Sequence, residues 1–371
     1  MRSERTGTPS SLDASDLTRH ESDAAFQREL KRRANEYFHK TGLRARDVPQ
    51  MYAKTVVMLS WFGVSYWLLV FQATTWWQAI PLSISLGLAA AGIGFNIQHD
   101  GAHRAYSRFD AVNRAASMML DAIGGSSYLW KIKHNGIHHS FPNVIGVDTD
   151  IDLGWLAKIP PDGTLTGLRR FQCVYLWAFY GLLALKWQLF DDFVDLLRRR
   201  IGRQQIELPK GWDLVTFAGG KILAFSIIFA IPATRHSWLV VLGLYGISVF
   251  VLGMTLSIAF QLAHCLEETT FADSCNEADP IRPGWAVRQI RSTADFARES
   301  RVLTWYLGGL NFQIEHHLFP RVCHVHYPAL SRIVEHVCGK FGVRYFAHRR
   351  LSSALVSHYR LLRGQRRCRA A

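Results

Sequence analysis

Apolar runs of membrane-crossing length alternate along this chain with strongly basic segments. From Thr55 to Gln98 there are 44 consecutive residues without Asp, Glu, Lys, Arg or His. A span needs roughly 20 apolar residues, so the run predicts two helices, over 55–73 and 79–98. The turn between them falls in TTWWQAIP, with Trp76 and Trp77 at the headgroup level and Pro81 just inside the second helix. A second pair follows. Leu214 to Ala233 is apolar apart from Lys221, and Ser237 to Ala263 carries no charge, predicting spans over 214–233 and 238–262. Lys221 is expected to snorkel to the cytoplasmic side. Phe171 to Phe190 is also apolar but contains Lys186. We place it flat at the interface or under a cytoplasmic domain, because a fifth crossing would invert everything after it. The pattern is that of an all-α integral membrane protein with four transmembrane helices in two hairpins.

Charge orients the hairpins. The net charge is +14. Lys31, Arg32, Arg33, Lys40, Arg44, Arg46 and Lys54 precede the first span, and Arg198, Arg199, Arg200, Arg203 and Lys210 precede the third; the outer turns hold only Arg235 and His236. Basic residues collect on the cytoplasmic side, so both termini and the central loop are expected there, in the inner or plasma membrane if the source is bacterial. This accounts for the charge without nucleic acid. The first 50 residues lack the short apolar core of a secretory signal. Six cysteines (Cys173, Cys265, Cys275, Cys323, Cys338 and Cys368) form no CxxC and read as reduced, buried thiols. Residues 1–20 are expected to be disordered. Phe26, Leu30, Ala34, Tyr37 and Phe38 then mark one face of a basic helix stopped at Gly42, lying on the membrane or packed on the cytoplasmic domain.

The remaining signal is histidine. His99 and His103 make HDGAH at the end of the second span; His134, His138 and His139 make HNGIHH; His264 ends the fourth span in QLAHC; His316 and His317 make QIEHH. With two crossings between the second and third of these groups, all eight reach the cytoplasmic face. On a helix, residues four apart share a face, so each HxxxH can aim two imidazoles at one centre. Adjacent histidines diverge by about 100 degrees and can serve two neighbouring metals. With 16 histidines in the chain, chance alone gives roughly 0.7 HxxxH pairs but only roughly 0.03 HxxxHH triplets. Eight imidazoles exceed what one zinc needs and suggest two metals with open positions for dioxygen or water, iron if the task is oxidation. The other eight histidines read as structural, with His324 and His326 the least secure.

These motifs resemble, in order and spacing, the three histidine boxes of the membrane fatty-acid desaturases, with His264 similar to the further ligand between boxes two and three. GVDTDID, YGLLALKWQLFDD and NFQIEHHLFPRVCHVHYPALSRIVEHVCGKFGVRY extend the similarity from about residue 50 to 350. The glutamine of QIEHH is similar to the front-end branch, which adds a double bond between an existing one and the carboxyl end. The resemblance implies a two-iron centre over a four-helix membrane stem, capped by a cytoplasmic helical domain. It implies O2 as co-substrate, two electrons per turnover, and an acyl chain carried on CoA or a glycerolipid. The metal ligands would be His99, His103, His134, His138, His139, His264, His316 and His317; Gln313 would ligate weakly, hold a ligand water or hydrogen-bond a ligand. Many front-end members carry a fused b-type cytochrome with a His-Pro-Gly-Gly motif. That motif is absent from this sequence, so a separate ferredoxin or free b-type cytochrome is the expected electron donor.

Residues 1–50 are then a polar N-terminal segment, 51–350 the desaturase domain and 351–371 a basic tail. Asp148, Asp150, Asp152, Asp100 and Glu315 are candidates to hydrogen-bond the histidines or simply solvated. Lys131, Lys133, Arg288, Arg291, Arg298 and Arg301 could meet a lipid or CoA phosphate, or only reflect the inside bias. Two other functions fit parts of the pattern: a histidine-box lipid hydroxylase, which shares the first hydrogen abstraction, and a metal-binding membrane transporter or sensor, which would want polar residues within the spans.

Overall fold

The computed structural model describes residues 14–154, 156–160, 165–273 and 284–364. Four helices are long and apolar enough to cross a membrane: Pro49–Gln72, Trp76–Ala102, Trp212–Ala233 and Trp238–His264. At 1.5 Å per residue they run roughly 33 to 41 Å, enough for a hydrocarbon core of about 30 Å. Each begins at or before its expected start. Pro49 supplies a preset first turn, and the chain breaks between Gln72 and Trp76 where Thr75 is extended. Trp76 and Trp77 stand exposed at that end.

Burial is unequal among the four. In its most apolar stretch the second span is 61% buried, against 22%, 17% and 28% for the first, third and fourth. The second span is therefore the inner helix, and the others turn Val56, Val57, Val64, Leu214, Val215, Ile222, Leu239 and Leu242 outward. That much exposed aliphatic surface suits a lipid solvent. The second and fourth spans pack along their length and touch backbone to backbone. A Cβ on Gly87 would lie 2.4 Å from the Ser248 carbonyl oxygen.

The segment between the two pairs is not straight. Gly167–Tyr180 and Leu183–Arg198 meet at 66°, and the bend presses on the fourth span. A Cβ on Gly253 would sit 2.4 Å from the Gly181 carbonyl oxygen.

Two expected surface lysines are interior instead. Lys221 does not snorkel: it is 5% exposed, and its ammonium donates to Asp192 Oδ2 and to the Gly124 carbonyl, both at 2.7 Å. A buried partner removes the reason to reach for water. Lys54 lies inside the first span rather than before it, and donates to His324 Nε2 and the Trp305 carbonyl at 2.8 Å.

The N-terminal helix runs Ala14–Thr41 and stops before Gly42, whose φ is +64°. Disorder expected over 1–20 is thus corrected from Ala14 onward; residues 1–13 lie outside the described residues. Phe26, Leu30 and Ala34 are buried against Ile290, Val334, Phe312 and Leu330, so this helix packs on protein. The stretch expected as a basic tail opens with a helix, Leu351–Leu362, that buries Ala354, Leu361 and Leu362. Cys173, Cys265, Cys323 and Cys338 are buried free thiols, as expected; Cys275 and Cys368 lie outside the described residues.

Candidate metal centre

The eight box histidines converge, and seven of them are buried. His99 lies on the last turn of the second span, directly after a π-helical turn over Gly94–Gln98, and His103 caps its end. His134 and His138 stand on a longer π-helix, Lys131–His138, where the His139 amide reaches back five residues to the His134 carbonyl. His264 is the last residue of the fourth span, and His316 and His317 ride on the short helix Gln313–Leu318. The wider turns were not foreseen from the spacing. They occur mostly at functional sites, where they re-aim side chains.

Two groups form. Ring nitrogens of His99, His103, His134 and His316 lie within 4.8 Å of one another, as do those of His138, His264 and His317. His139 stands between them: its Nε2 is 3.0 Å from His316 Nε2, and its ring stacks on His317 at 4.3 Å. The adjacent pair His316–His317 therefore divides between the groups, as adjacent helical residues should.

Neighbouring polar groups fix the rings. His138 Nδ1 donates to Asp148 Oδ2 at 2.9 Å, and His317 Nδ1 donates to Gln289 Oε1 at 2.8 Å. Both rings then turn a bare Nε2 inward, the arrangement a metal-ligating histidine requires. His316 Nδ1 lies 3.3 Å from the Tyr327 hydroxyl, whereas His134 Nδ1, 3.5 Å from Asp150, makes no hydrogen bond. Asp148 is itself held by the amides of Asn143 and Asp150. The Asn143 side chain donates to the carbonyls of His264 and Ser292, and Asn135 donates to the Ala102 carbonyl. These bonds lock box two against the ends of the second and fourth spans.

Gln289, Asn143, Asn135 and Tyr327 were missed from sequence. Asn135 stood in the quoted HNGIHH, but nothing local marks an asparagine as a tie between distant elements. Of the proposed acidic partners, Asp148 and Asp150 face histidines. Asp152 caps the Gly154 amide, Asp100 binds His324, and Glu315 meets Tyr345. Gln313 touches His264: amide nitrogen and ring Nε2 are 2.9 Å apart. Lys133 and Arg298 are paired internally with Asp195 and Glu335.

The donor set fits metal. His103 Nε2, His134 Nδ1 and Nε2, His138 Nε2, His264 Nδ1 and His317 Nε2 are buried with no hydrogen-bond partner, a cost normally avoided. Burial holds His103, His134, His139, His316 and His317 well below the usual histidine range, helped by their mutual repulsion. They are neutral imidazoles, the form that ligates. His138 goes the other way: burial opposes its charge, but Asp148 and Asp150 outweigh it and raise the ring. A further group, Asp100, Cys323 and His324, differs in kind, because the Lys54 ammonium already occupies His324 Nε2.

A cavity of about 750 Å³ adjoins the first group. His99, His134 and Gln313 line it together with Leu120, Ile123, Leu185 and Leu256, and Lys133, Asp150, Asp195 and Arg198 also border it. The apolar part of this space, beside the neutral imidazoles, suits a hydrocarbon chain.

The fatty acid desaturase family model matches residues 74–349. The sn-1 linoleoyl-lipid 6-desaturase of Arthrospira platensis is 35% identical over 339 residues, covering 91% of this chain and 92% of that protein. Its namesake from Synechocystis sp. is also 35% identical, covering 91% and 94%. The acyl-lipid (8-3)-desaturase of Physcomitrium patens is 34% identical, covering 89% of this chain and 69% of its own length. Neither the transporter nor the hydroxylase reading finds support there. The chain belongs to the fatty acid desaturase family, and it is an oxidoreductase that desaturates fatty acyl chains.

Proposed function

We propose that the two histidine groups hold two irons, with His99, His103, His134 and His316 around one and His138, His264 and His317 around the other. His139 lies within reach of both. The observation that carries this reading is the set of buried, unpartnered ring nitrogens turned into one space. When bound, the iron pair supplies the dioxygen chemistry that removes hydrogen from an unactivated carbon. The chain's own residues do the rest. Asp148 and Gln289 hold two ligand rings in register, Gln313 steadies His264, and the apolar cavity walls keep water off and set one C–C bond beside the first group.

In this reading the substrate is an acyl chain on a lipid or on CoA, and the new cis bond forms on the carboxyl side of an existing one. The names of the 6-desaturase relatives support that regiochemistry. The four apolar helices form two hairpins through the bilayer with the histidines on the cytoplasmic face, supported by the basic segments before the first and third spans. Electrons arrive from a separate ferredoxin or b-type cytochrome. Metal analysis of the purified chain tests the core of the proposal. Two irons per chain are expected, falling in His138→Ala; one zinc per chain, unchanged by the substitution, would refute it.

A further inference from the structure

A second cavity lies among the spans, beneath the one beside the histidines. Its volume is about 100 Å³. Its walls are almost wholly apolar, from Phe62, Leu86, Ala90, Val241, Leu244 and Leu252. The two cavities share Ile123, and their walls lie one helical turn apart on two spans: Gly94 and Leu256 above, Ala90 and Leu252 below.

A polar crosspiece holds the division in place. Gln188, 5% exposed, donates from Nε2 to the Ile123 carbonyl at 2.7 Å and accepts from the Tyr245 hydroxyl at 2.8 Å. A buried amide in apolar surroundings is costly unless fully bonded, and here both ends are bonded. The bonds run from the bent segment to the loop bearing Ile123 and to the fourth span. They fix the backbone of Ile123 at the foot of the upper cavity. Space for Gln188 is reserved as well, since a Cβ on Gly124, whose φ is +97°, would lie 2.9 Å from its Cγ.

We propose that Ile123, pinned by Gln188 and Tyr245, is the floor of the acyl tunnel and sets how much chain is accepted beyond the reacting carbons. This rests on the reading of the upper cavity as that tunnel. Leu256 and Leu252 precede His264 by eight and twelve residues, so the floor lies roughly 12 to 18 Å below the histidines. A chain whose reacting bond sits beside His99 ends at this level, and the cavity beneath is room the floor withholds.

The test feeds linoleate and the twenty-carbon eicosadienoate together to cells making the chain, and compares conversion of the two. Ile123→Ala should raise the ratio of twenty- to eighteen-carbon product by roughly tenfold, the scale of a methylene in an apolar pocket, with the new bond at the same carbon from the carboxyl end. Adding Val241→Phe, which fills the lower cavity, should cancel the gain; alone it should leave the ratio as in the wild type. Ile123→Phe raises the floor and should shift conversion towards sixteen-carbon acids, which tests the idea even if Ile123→Ala folds poorly. An unchanged ratio in variants that still desaturate, or a gain that survives Val241→Phe, would overturn the floor and leave the desaturase reading intact. A wild type that forms no new bond in any acid would sink both.

Discussion

Two sets of buried polar groups in this molecule are treated in opposite ways. Two of the stem's buried side chains are fully paired. Lys221 has Asp192 and the Gly124 carbonyl; Gln188 has Ile123 and Tyr245. Among the histidines, six buried ring nitrogens have no partner, while the outward nitrogens of His138 and His317 are tied to Asp148 and Gln289. The contrast separates architecture from chemistry. A buried polar group that is fully bonded shapes the fold, whereas one oriented on one side and bare on the other awaits a ligand.

The sharpest break of that contrast is His138→Ala. It should abolish product, a loss of at least about a thousandfold if the iron is lost with its ligand, while the solubilised variant still elutes as a folded protein. Next comes Lys221→Met. Removing one partner of a buried pair costs about 3 to 5 kcal/mol, so thermal unfolding in detergent should shift down strongly, yet iron per folded molecule should stay unchanged. If Lys221→Met lost iron while keeping its stability, the division between stem and centre would be wrong. Asp148→Asn keeps the shape but weakens the hold on His138, and should lower iron affinity or turnover about 10- to 100-fold. Gln289→Leu removes two neutral bonds, to His317 Nδ1 and the His139 carbonyl, and should cost less, about tenfold in turnover.

Much of the stem was legible because a bilayer demands long uncharged runs, and 44 residues without charge leave few other readings. The convergence of box histidines was legible for a related reason: pairs sit at the ends of spans or at helical spacing. What the sequence hid was long-range pairing. Asp192 and Lys221 are 29 positions apart, and Lys221 alone looked like a charge reaching for the membrane surface. Gln289 carries no local mark of a ligand's partner. The π-turns before His99 and through His138 depend on packing rather than on composition, so four-residue spacing suggested ordinary helix where the chain widens its turn. His324 resisted assignment for the same reason, since its partners Asp100 and Lys54 lie over 200 residues away.

The most direct test of the central claim is gas chromatography–mass spectrometry of total fatty acids from cells fed linoleate and expressing either the intact chain or His138→Ala. The account predicts a new, more unsaturated acid only with the intact chain, its added bond between the carboxyl group and the existing bonds. A new hydroxy acid in its place, or the same unsaturated product from His138→Ala, would contradict it.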